Sequence, residues 1–308
     1  MSNFDEQRIR RIVALAESSR GELRQAWSAQ AIYAKLDETI IGNEAYKRAL
    51  SISLSDFLAE EKLRQHLLVA GPSGSGKTYL LEECLPLLGI SFHILDASSL
   101  VPSGYKGLTL QESLGEFFKA HADAYRRCIL ILDEFDKLSE RANGGDTHKS
   151  QSLQSELLTL FHGKQEGPID TRQALWICAG SFSYAAGMRQ SQPHLTKEEL
   201  LRYGFKNELL GRITKVCHTE IPTVEQVVRR VAGHSVVKSF LKDLKRLGFD
   251  VDFKDEAFLK LALAAQNSNF GMRVIGTVIS ELKEHIVFHC RETRFIVPPE
   301  LIDQLLAR

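Results

Sequence analysis

The sequence predicts an α/β fold: a parallel sheet sandwiched by helices, followed by a small, mostly α-helical domain. Short apolar segments alternate with helical segments in the first part of the chain, which is typical of a parallel sheet covered on both faces. From residue 223 onward, helical spacing of apolar residues dominates. This change of pattern predicts a domain boundary and a hinge near Pro222. We therefore expect a helical extension at 1–35, a large αβα domain at 36–221 and a small domain at 222–308.

Five segments have the length and composition of buried strands. They are 66–70, 91–95, 128–134, 174–179 and 215–221. Helices are expected at 4–18, 22–36, 78–88, 110–124, 151–162, 224–247, 255–266 and 271–291, and again at the end of the chain. Pro86 is expected to bend or end the helix at 78–88. A short extended segment is expected at 294–297.

Composition and cysteine spacing argue against several classes of protein. Lys and Arg together number 39, as do Asp and Glu, so the net charge does not indicate nucleic acid or an anionic membrane, although a local basic patch would remain possible. The five cysteines lie far apart without C-x-x-C spacing, which argues against a zinc site or a disulfide framework. We find no signal peptide and no apolar run of about 18 residues, so we expect a cytoplasmic protein with no membrane segment.

A glycine-rich segment follows the first predicted strand. It consists of Gly71, Pro72, Ser73, Gly74, Ser75, Gly76, Lys77 and Thr78, and it fits the pattern G-x-x-x-x-G-K-[ST]. Its glycines allow backbone N–H groups to turn inward around phosphates, and a helix N-terminus beneath them adds partial positive charge. Lys77 is then expected to reach the β- and γ-phosphates, and the Thr78 hydroxyl to bind Mg²⁺.

Two acids, Asp133 and Glu134, end the apolar strand at 128–134. Ligands of α/β sheets bind beyond the carboxyl ends of the strands, so both acids are candidates for the nucleotide site. Asp133 is expected to hold Mg²⁺ directly or through water, and Glu134 to activate the attacking water as general base. The loop and the acid pair together predict hydrolysis of ATP or GTP.

Several further segments resemble the AAA+ ATPases of the ClpX/HslU unfoldase branch, in the right order and over the chain from about Ile32 onward. Residues 36–47 are similar to the family's L-D-x-x-V-I-G-Q-x-x-A-K box, 96–107 to its A-D-A-T-x-L … G-Y-V-G stretch, and 133–138 to D-E-I-D-K-I. The resemblance implies ATP as the nucleotide, with Ile40 and Ile41 flanking the adenine. It also implies a homo-oligomeric, hexameric ring that acts on a protein substrate.

The same resemblance assigns two arginines. The segment 208–213 is similar to E-F-I-G-R-L, which implies that Arg212 acts as an arginine finger on a neighbouring subunit's nucleotide. The segment 271–273 is similar to the G-A-R of the second sensor, which implies that Arg273 contacts the γ-phosphate from the small domain. Such a contact would couple nucleotide state to the hinge. A surface salt bridge is the alternative role for Arg212.

Residues 104–107, Gly-Tyr-Lys-Gly, resemble the family's central-pore loop. The resemblance implies that Tyr105 grips an extended polypeptide. Lys106 stands where the family usually has an apolar residue, so the tip could favour acidic or nucleic-acid cargo, or the lysine could be merely solvated. An ordinary turn tyrosine is the alternative for Tyr105.

The chain also departs from the family pattern. No four-cysteine zinc-binding pattern occurs in 1–35, no I-G-F tripeptide of the peptidase-docking loop occurs in 182–199, and Ser181 stands near the first-sensor position without the usual Asn or Thr. The leading hypothesis is an ATP-hydrolysing ring that remodels a protein partner. The alternatives are an ATP-controlled oligomeric switch or scaffold that recruits an effector, and a nucleic-acid motor.

Overall fold

The computed structural model describes residues 27–59, 65–121, 124, 127–139, 147–182, 195–220, 222–268, 272–290 and 292–307. The predicted helix at 4–18, most of the segment at 182–199, and Gly271 lie outside these residues. The chain divides into two compact units. The first contains the described residues up to Ile40, then Glu44–Ala70 and Thr78–His218; the second contains Ile41–Asn43, Gly71–Lys77 and the residues from Thr219 onward.

The first unit alternates helices and strands. In chain order they are α1 (Ala29–Thr39), α2 (Glu44–Leu58), β1 (Leu67–Ala70), α3 (Lys77–Cys84, which begins in the second unit), β2 (Phe92–Asp96), β3 (Leu100–Val101), β4 (Leu108–Thr109), α4 (Leu110–Ala120), β5 (Cys128–Asp133), α5 (Thr147–Phe161), β6 (Gln165–Glu166), β7 (Ile169–Asp170), β8 (Ala174–Gly180), α6 (Lys197–Arg202), α7 (Asn207–Arg212) and β9 (Lys215–His218).

Five strands form one parallel sheet in the order β2-β5-β8-β1-β9. The order is not the chain order, so each strand reaches its neighbour through a crossover, as parallel strands require. All five predicted strands are confirmed, with no end shifted by more than three residues. The sheet therefore places the carboxyl ends of β1, β5 and β8 along one edge, which is where α/β proteins bind their ligands.

Alternate residues of each strand enter two separate cores. Leu67, Ile129 and Ile177 face one side with residues of α1, α2 and α3. Leu68 and Trp176 face the other, where Trp176 stacks on Phe161 with ring centroids 4.6 Å apart. Because side chains alternate along a strand, a sheet covered on both faces needs apolar residues at every position. This requirement explains the uninterrupted apolar runs in the sequence.

The second unit is mostly helical. Its elements are α8 (Val224–Gly233), α9 (Ser235–Arg246), β10 (Asp250–Phe253), α10 (Asp255–Asn267), α11 (Arg273–His289), β11 (Arg294–Val297) and α12 (Pro299–Leu306). Fully buried leucines and isoleucines from α9 to α12 form its core. The strand β10, which sequence analysis did not predict, pairs in parallel with β11.

The predicted single helix at 224–247 is wrong, because the chain forms two helices that meet at His234. The His234 backbone is extended, with φ −63° and ψ 133°, and its Nδ1 accepts a hydrogen bond from the backbone N of Val236 at 3.3 Å. A side-chain acceptor at this position caps the start of α9. The helix at 78–88 changes at Leu85 into a 3-10 turn with Pro86 in its first turn, as predicted. Among the described residues, no helix is both long and apolar enough to cross a membrane.

Candidate nucleotide site

The glycine loop connects β1 to α3, which is the strand–loop–helix order that the motif requires. Gly74 and Gly76 have φ angles of +73° and +93°, which side-chain-bearing residues rarely adopt. Lys77 is 9% exposed, and its ammonium donates to the Gly71 and Pro72 carbonyls at 2.7 and 2.9 Å. The loop therefore encloses a positively charged ammonium group, which is suited to bind the negatively charged phosphates.

Gly71 lies where no side chain fits. A Cβ built on it would come within 1.7 Å of Thr219 Oγ1 and 2.9 Å of Thr219 Cβ. Both distances are far below van der Waals contact. The first glycine of the motif is thus required by close packing against Thr219.

Thr78 and Asp133 are brought into direct contact. The Thr78 hydroxyl donates to Asp133 Oδ2 at 2.7 Å, and Asp133 Oδ1 accepts from the backbone N of Glu134 at 2.9 Å. Both carboxylate oxygens are thereby fixed in position. Since Thr78 follows Lys77 directly, the predicted metal ligand and the predicted phosphate ligand are consecutive residues.

These two oxygen ligands fit Mg²⁺. Within the described ranges, no group of three or more His, Cys, Asp or Glu residues could enclose a metal. Mg²⁺ commonly takes one or two protein oxygens and completes its shell with water and substrate phosphate. A hydroxyl beside a carboxylate at the start of a phosphate-binding helix matches that preference.

Glu134 lies at the end of β5 with its side chain exposed and a φ angle of +52°. A non-glycine residue in this left-handed region costs backbone energy and is most often found at functional positions. The strained backbone turns the chain out of the sheet directly after Asp133. Glu134 is therefore presented to solvent at the sheet edge, as a base that acts on water must be.

Asp136 is a site residue that sequence analysis missed. It is buried, and its carboxylate accepts hydrogen bonds from the backbone N and the hydroxyl of Ser181 at 3.0 and 3.1 Å. This contact joins the turn after β5 to the residue that follows β8, the predicted first-sensor strand. A further aspartate three positions beyond Asp133 was the available signal.

Ile40 and Ile41 follow α1, and a buried lysine holds the first of them. Lys47 has no exposed surface, and its ammonium donates to the Ile40 carbonyl at 3.1 Å and to the Asp37 carboxylate; it also pairs with Glu44 at 3.0 Å. Lys47 was part of the motif used for the resemblance but was not predicted as a site residue.

Asn43 is a second missed residue. Its φ angle is +60°, its amide nitrogen donates to the Ser75 carbonyl at 3.0 Å, and its amide oxygen accepts from the backbone N of Glu220 at 3.0 Å. One side chain therefore ties the 41–43 segment to the glycine loop and to the chain before α8. Asparagine tolerates left-handed backbone better than most residues, which was the signal in the sequence.

The two predicted arginines are both exposed. Arg212 is the last residue of α7, and its guanidinium contacts His162 Nε2 rather than a predicted site residue. His162 Nδ1 lies 2.8 Å from the Leu158 carbonyl, so the ring donates there and Nε2 is left as the acceptor for Arg212. Arg273 is the first residue of α11, where a cation is unfavourable for the helix dipole. Neither position is explained by packing within the described residues.

The predicted pore loop connects β3 to β4. Tyr105 is 51% exposed, Lys106 is exposed, and flanking Gly104 and Gly107 have φ angles of +92° and +146°. The base of the loop is fixed, because Glu156 of α5 accepts a hydrogen bond from the Ser103 backbone N at 3.0 Å. The loop thus projects an aromatic side chain from an anchored base.

Comparison with known proteins agrees with this geometry. Residues 67–187 match the sequence model of the ATPase family associated with various cellular activities (AAA). The chain is 26% identical over 298 residues to ATP-dependent Clp protease ATP-binding subunit ClpX 2 of Wolinella succinogenes, covering 82% of this chain and 75% of the relative. It is 26% identical to ClpX of Treponema denticola and 24% identical to ClpX of Porphyromonas gingivalis, with the same coverage.

Proposed function

We propose that this chain, a ClpX-like AAA+ ATPase, assembles into a homo-oligomeric ring and uses ATP hydrolysis to remodel a partner protein. The ATPase activity follows from the AAA match and the ClpX relatives. The ring, its hexameric size and the protein cargo are the proposal. The observation that carries the remodelling role is the exposed Tyr105 on an anchored, glycine-flanked loop. An aromatic side chain held in this way is suited to contact an extended polypeptide.

In the proposed reaction, residues 71–78 bind the phosphates through backbone N–H groups, and Lys77 balances charge on the β- and γ-phosphates. Thr78 and Asp133 would hold Mg²⁺, which when bound neutralises part of the phosphate charge. Glu134 accepts a proton from the attacking water as the water oxygen bonds to the γ-phosphorus. The bond to the β-phosphate oxygen breaks, and ADP and phosphate are formed.

Arg212 is proposed to act on the nucleotide of a neighbouring subunit. Its guanidinium is exposed and contacts His162, so it can leave this contact when a neighbour's phosphates are presented. Arg273 is proposed to contact the γ-phosphate, and its exposed place at a helix N-terminus supports a role other than helix stability. Ile40 and Ile41 are proposed to flank the adenine.

Mixing two inactive variants tests the ring and the finger together. Glu134→Gln removes the base but keeps Arg212, whereas Arg212→Ala keeps the base but removes the finger. If Arg212 acts between subunits, neither variant alone hydrolyses ATP, while an equal mixture recovers activity at about one quarter of its sites. The matched control mixes Glu134→Gln with a variant that carries both changes and recovers nothing. No recovery in the first mixture contradicts the proposal.

A second function is favoured by one observation: the Tyr105 loop carries an exposed lysine at its tip where the pore loop it resembles has an apolar residue. The Lys106 ammonium would lose its water if the loop held an apolar polypeptide, and this desolvation is costly. The second proposed function is therefore an ATP-controlled switch or scaffold that recruits an effector. Tyr105→Ala distinguishes the two. Unchanged ATPase activity with lost partner remodelling supports threading, and unchanged partner function supports the switch.

A further inference from the structure

Arg230 occupies an unusual position beside the 41–43 segment. It lies on α8, and its Nε donates to the Ile41 carbonyl at 2.8 Å. Its Nη2 is buried and has no hydrogen-bond partner. Gly42 accommodates the guanidinium, because a Cβ at Gly42 would come within 2.7 Å of that Nη2. The chain is therefore shaped around a guanidinium that uses Nε for a hydrogen bond and leaves the Nη2 edge without one.

The hydrogen bond from Arg230 to Ile41 does not explain why Nη2 of Arg230 is left without a partner. Burying a charged donor without a partner is unfavourable, and a shorter amide side chain could make one hydrogen bond without that cost. The hydroxyls of Ser75 and Thr219 are also buried without partners. Arg230, Ser75 and Thr219 all belong to the same compact unit, together with the glycine loop. Unused donors gathered in one unit with a phosphate-binding loop indicate a ligand.

The position of Arg230 suits the base of the nucleotide better than its phosphates. Asn43 contacts the glycine loop and is two residues from Ile41, a span of at most about 7 Å, so a nucleotide held by the loop can reach both. Burial lowers the pKa of the Arg230 guanidinium, and the Glu220 carboxylate opposes that shift. The Glu220 carboxylate therefore offsets part of the charge that would attract a phosphate.

We propose that Arg230 binds the base of ATP by donating a hydrogen bond from Nη2 to a ring nitrogen of adenine. The Ile41 carbonyl, beside it, retains a second lone pair for the 6-amino group. A donor next to an acceptor is complementary to adenine, whose amino group adjoins a ring nitrogen. This inference rests on the ATP-binding part of the proposed function and adds a residue that selects the base.

The test separates base from phosphates by comparing ATP with tripolyphosphate. Arg230→Gln and Arg230→Lys are titrated with each ligand, and Arg229→Gln serves as the control, because exposed Arg229 pairs with Glu225 on the same helix. We expect the Kd for ATP to rise roughly tenfold in both Arg230 variants while that for tripolyphosphate stays within about twofold. Arg229→Gln should match the wild type. Retained tripolyphosphate binding also shows that the variants are folded.

Adenine analogues identify the contact itself. ATP analogues with carbon in place of N1 or N7, the ring nitrogens beside the amino group, are titrated against the wild type and Arg230→Gln, with the N3 analogue as the control. The wild type should bind the N1 or the N7 analogue roughly tenfold more weakly than ATP, and Arg230→Gln should not distinguish that analogue from ATP.

Other outcomes overturn the proposal in recognisable ways. Equal weakening of ATP and tripolyphosphate binding means that Arg230 only supports the loop. Unchanged ATP binding, or a wild type that does not distinguish any analogue, excludes the base contact while leaving the ATP site intact. Wild-type protein that binds neither ATP nor tripolyphosphate contradicts the proposed function as well.

Discussion

The buried carboxylate of Asp136 accepts two hydrogen bonds from Ser181, one from its backbone N at 3.0 Å and one from its hydroxyl at 3.1 Å. Asp136 lies three residues beyond Asp133, and Ser181 directly follows β8. The ends of two neighbouring strands at the candidate site are therefore joined by one side chain. These two hydrogen bonds hold the two strand ends together.

Replacing Asp136 by Ala removes the acceptor of both hydrogen bonds in a buried place. We expect the free energy of unfolding to fall by about 3 kcal/mol, because both Ser181 donors lose their acceptor and a cavity replaces the buried carboxylate. Asp136→Asn retains one acceptor oxygen and should cost about 1 kcal/mol, as should Ser181→Ala. Urea unfolding of the variants measures these differences. Equal losses for the Ala and Asn variants would contradict the account.

Lys47 is expected to stabilise the chain at Ile40, directly after α1. Lys47→Met leaves the Ile40 carbonyl without its partner, while Asp37 is 53% exposed and can be solvated. We therefore expect a loss of about 2 kcal/mol in unfolding free energy. Lys35→Met, on the exposed face of α1, is the control and should change it by less than about 0.5 kcal/mol. Thermal unfolding that shows equal effects would remove the argument for Lys47.

The His93 ring should make the fold sensitive to acid. It stacks on Phe117 at 5.0 Å and lies 2.9 Å from the Ser113 hydroxyl. Burial lowers its pKa, as does the nearby His121. Since the unfolded histidine binds its proton first, stability should fall as the pH drops below the unfolded value of about 6.5 and through the lower folded value.

Urea midpoints at pH about 7.5 and about 5.5 measure this effect. His93→Gln should reduce the difference between the two midpoints, whereas His148→Gln, an exposed histidine on α5, should leave it as in the wild type. An unchanged difference in His93→Gln contradicts the assignment.

The parallel sheet could be predicted because its strands carry uninterrupted apolar runs, as shown by residues 128–132. The residues of the glycine loop and the acid pair could be predicted because phosphate and Mg²⁺ chemistry restricts which residue types can follow a strand. Asp136 and Asn43 could not be assigned, since their roles depend on partners 45 and 177 residues away in the chain. The break at His234 was missed although the buried positions change phase there, since Val231 is followed six residues later by Val237, a spacing that one continuous helix face does not give.

Two further parts of the site depend on close packing that sequence does not reveal. Gly71 was expected to be a conformational residue, but its packing against Thr219 excludes any side chain at that position. Arg230 has no motif of its own, and only its burial beside Gly42 singles it out. The positions of Arg212 and Arg273 as site residues remain predictions from the family resemblance.

ATP turnover by Glu134→Gln tests the central claim, which is that the Glu134 carboxylate activates the water that hydrolyses ATP. Turnover and nucleotide binding are measured on the same preparation, with Glu116→Gln on the exposed face of α4 as the matched control. We expect Glu134→Gln to bind ATP as tightly as the wild type and to hydrolyse it roughly 10²–10⁴-fold more slowly, while Glu116→Gln keeps full turnover. Full turnover by Glu134→Gln would contradict the account.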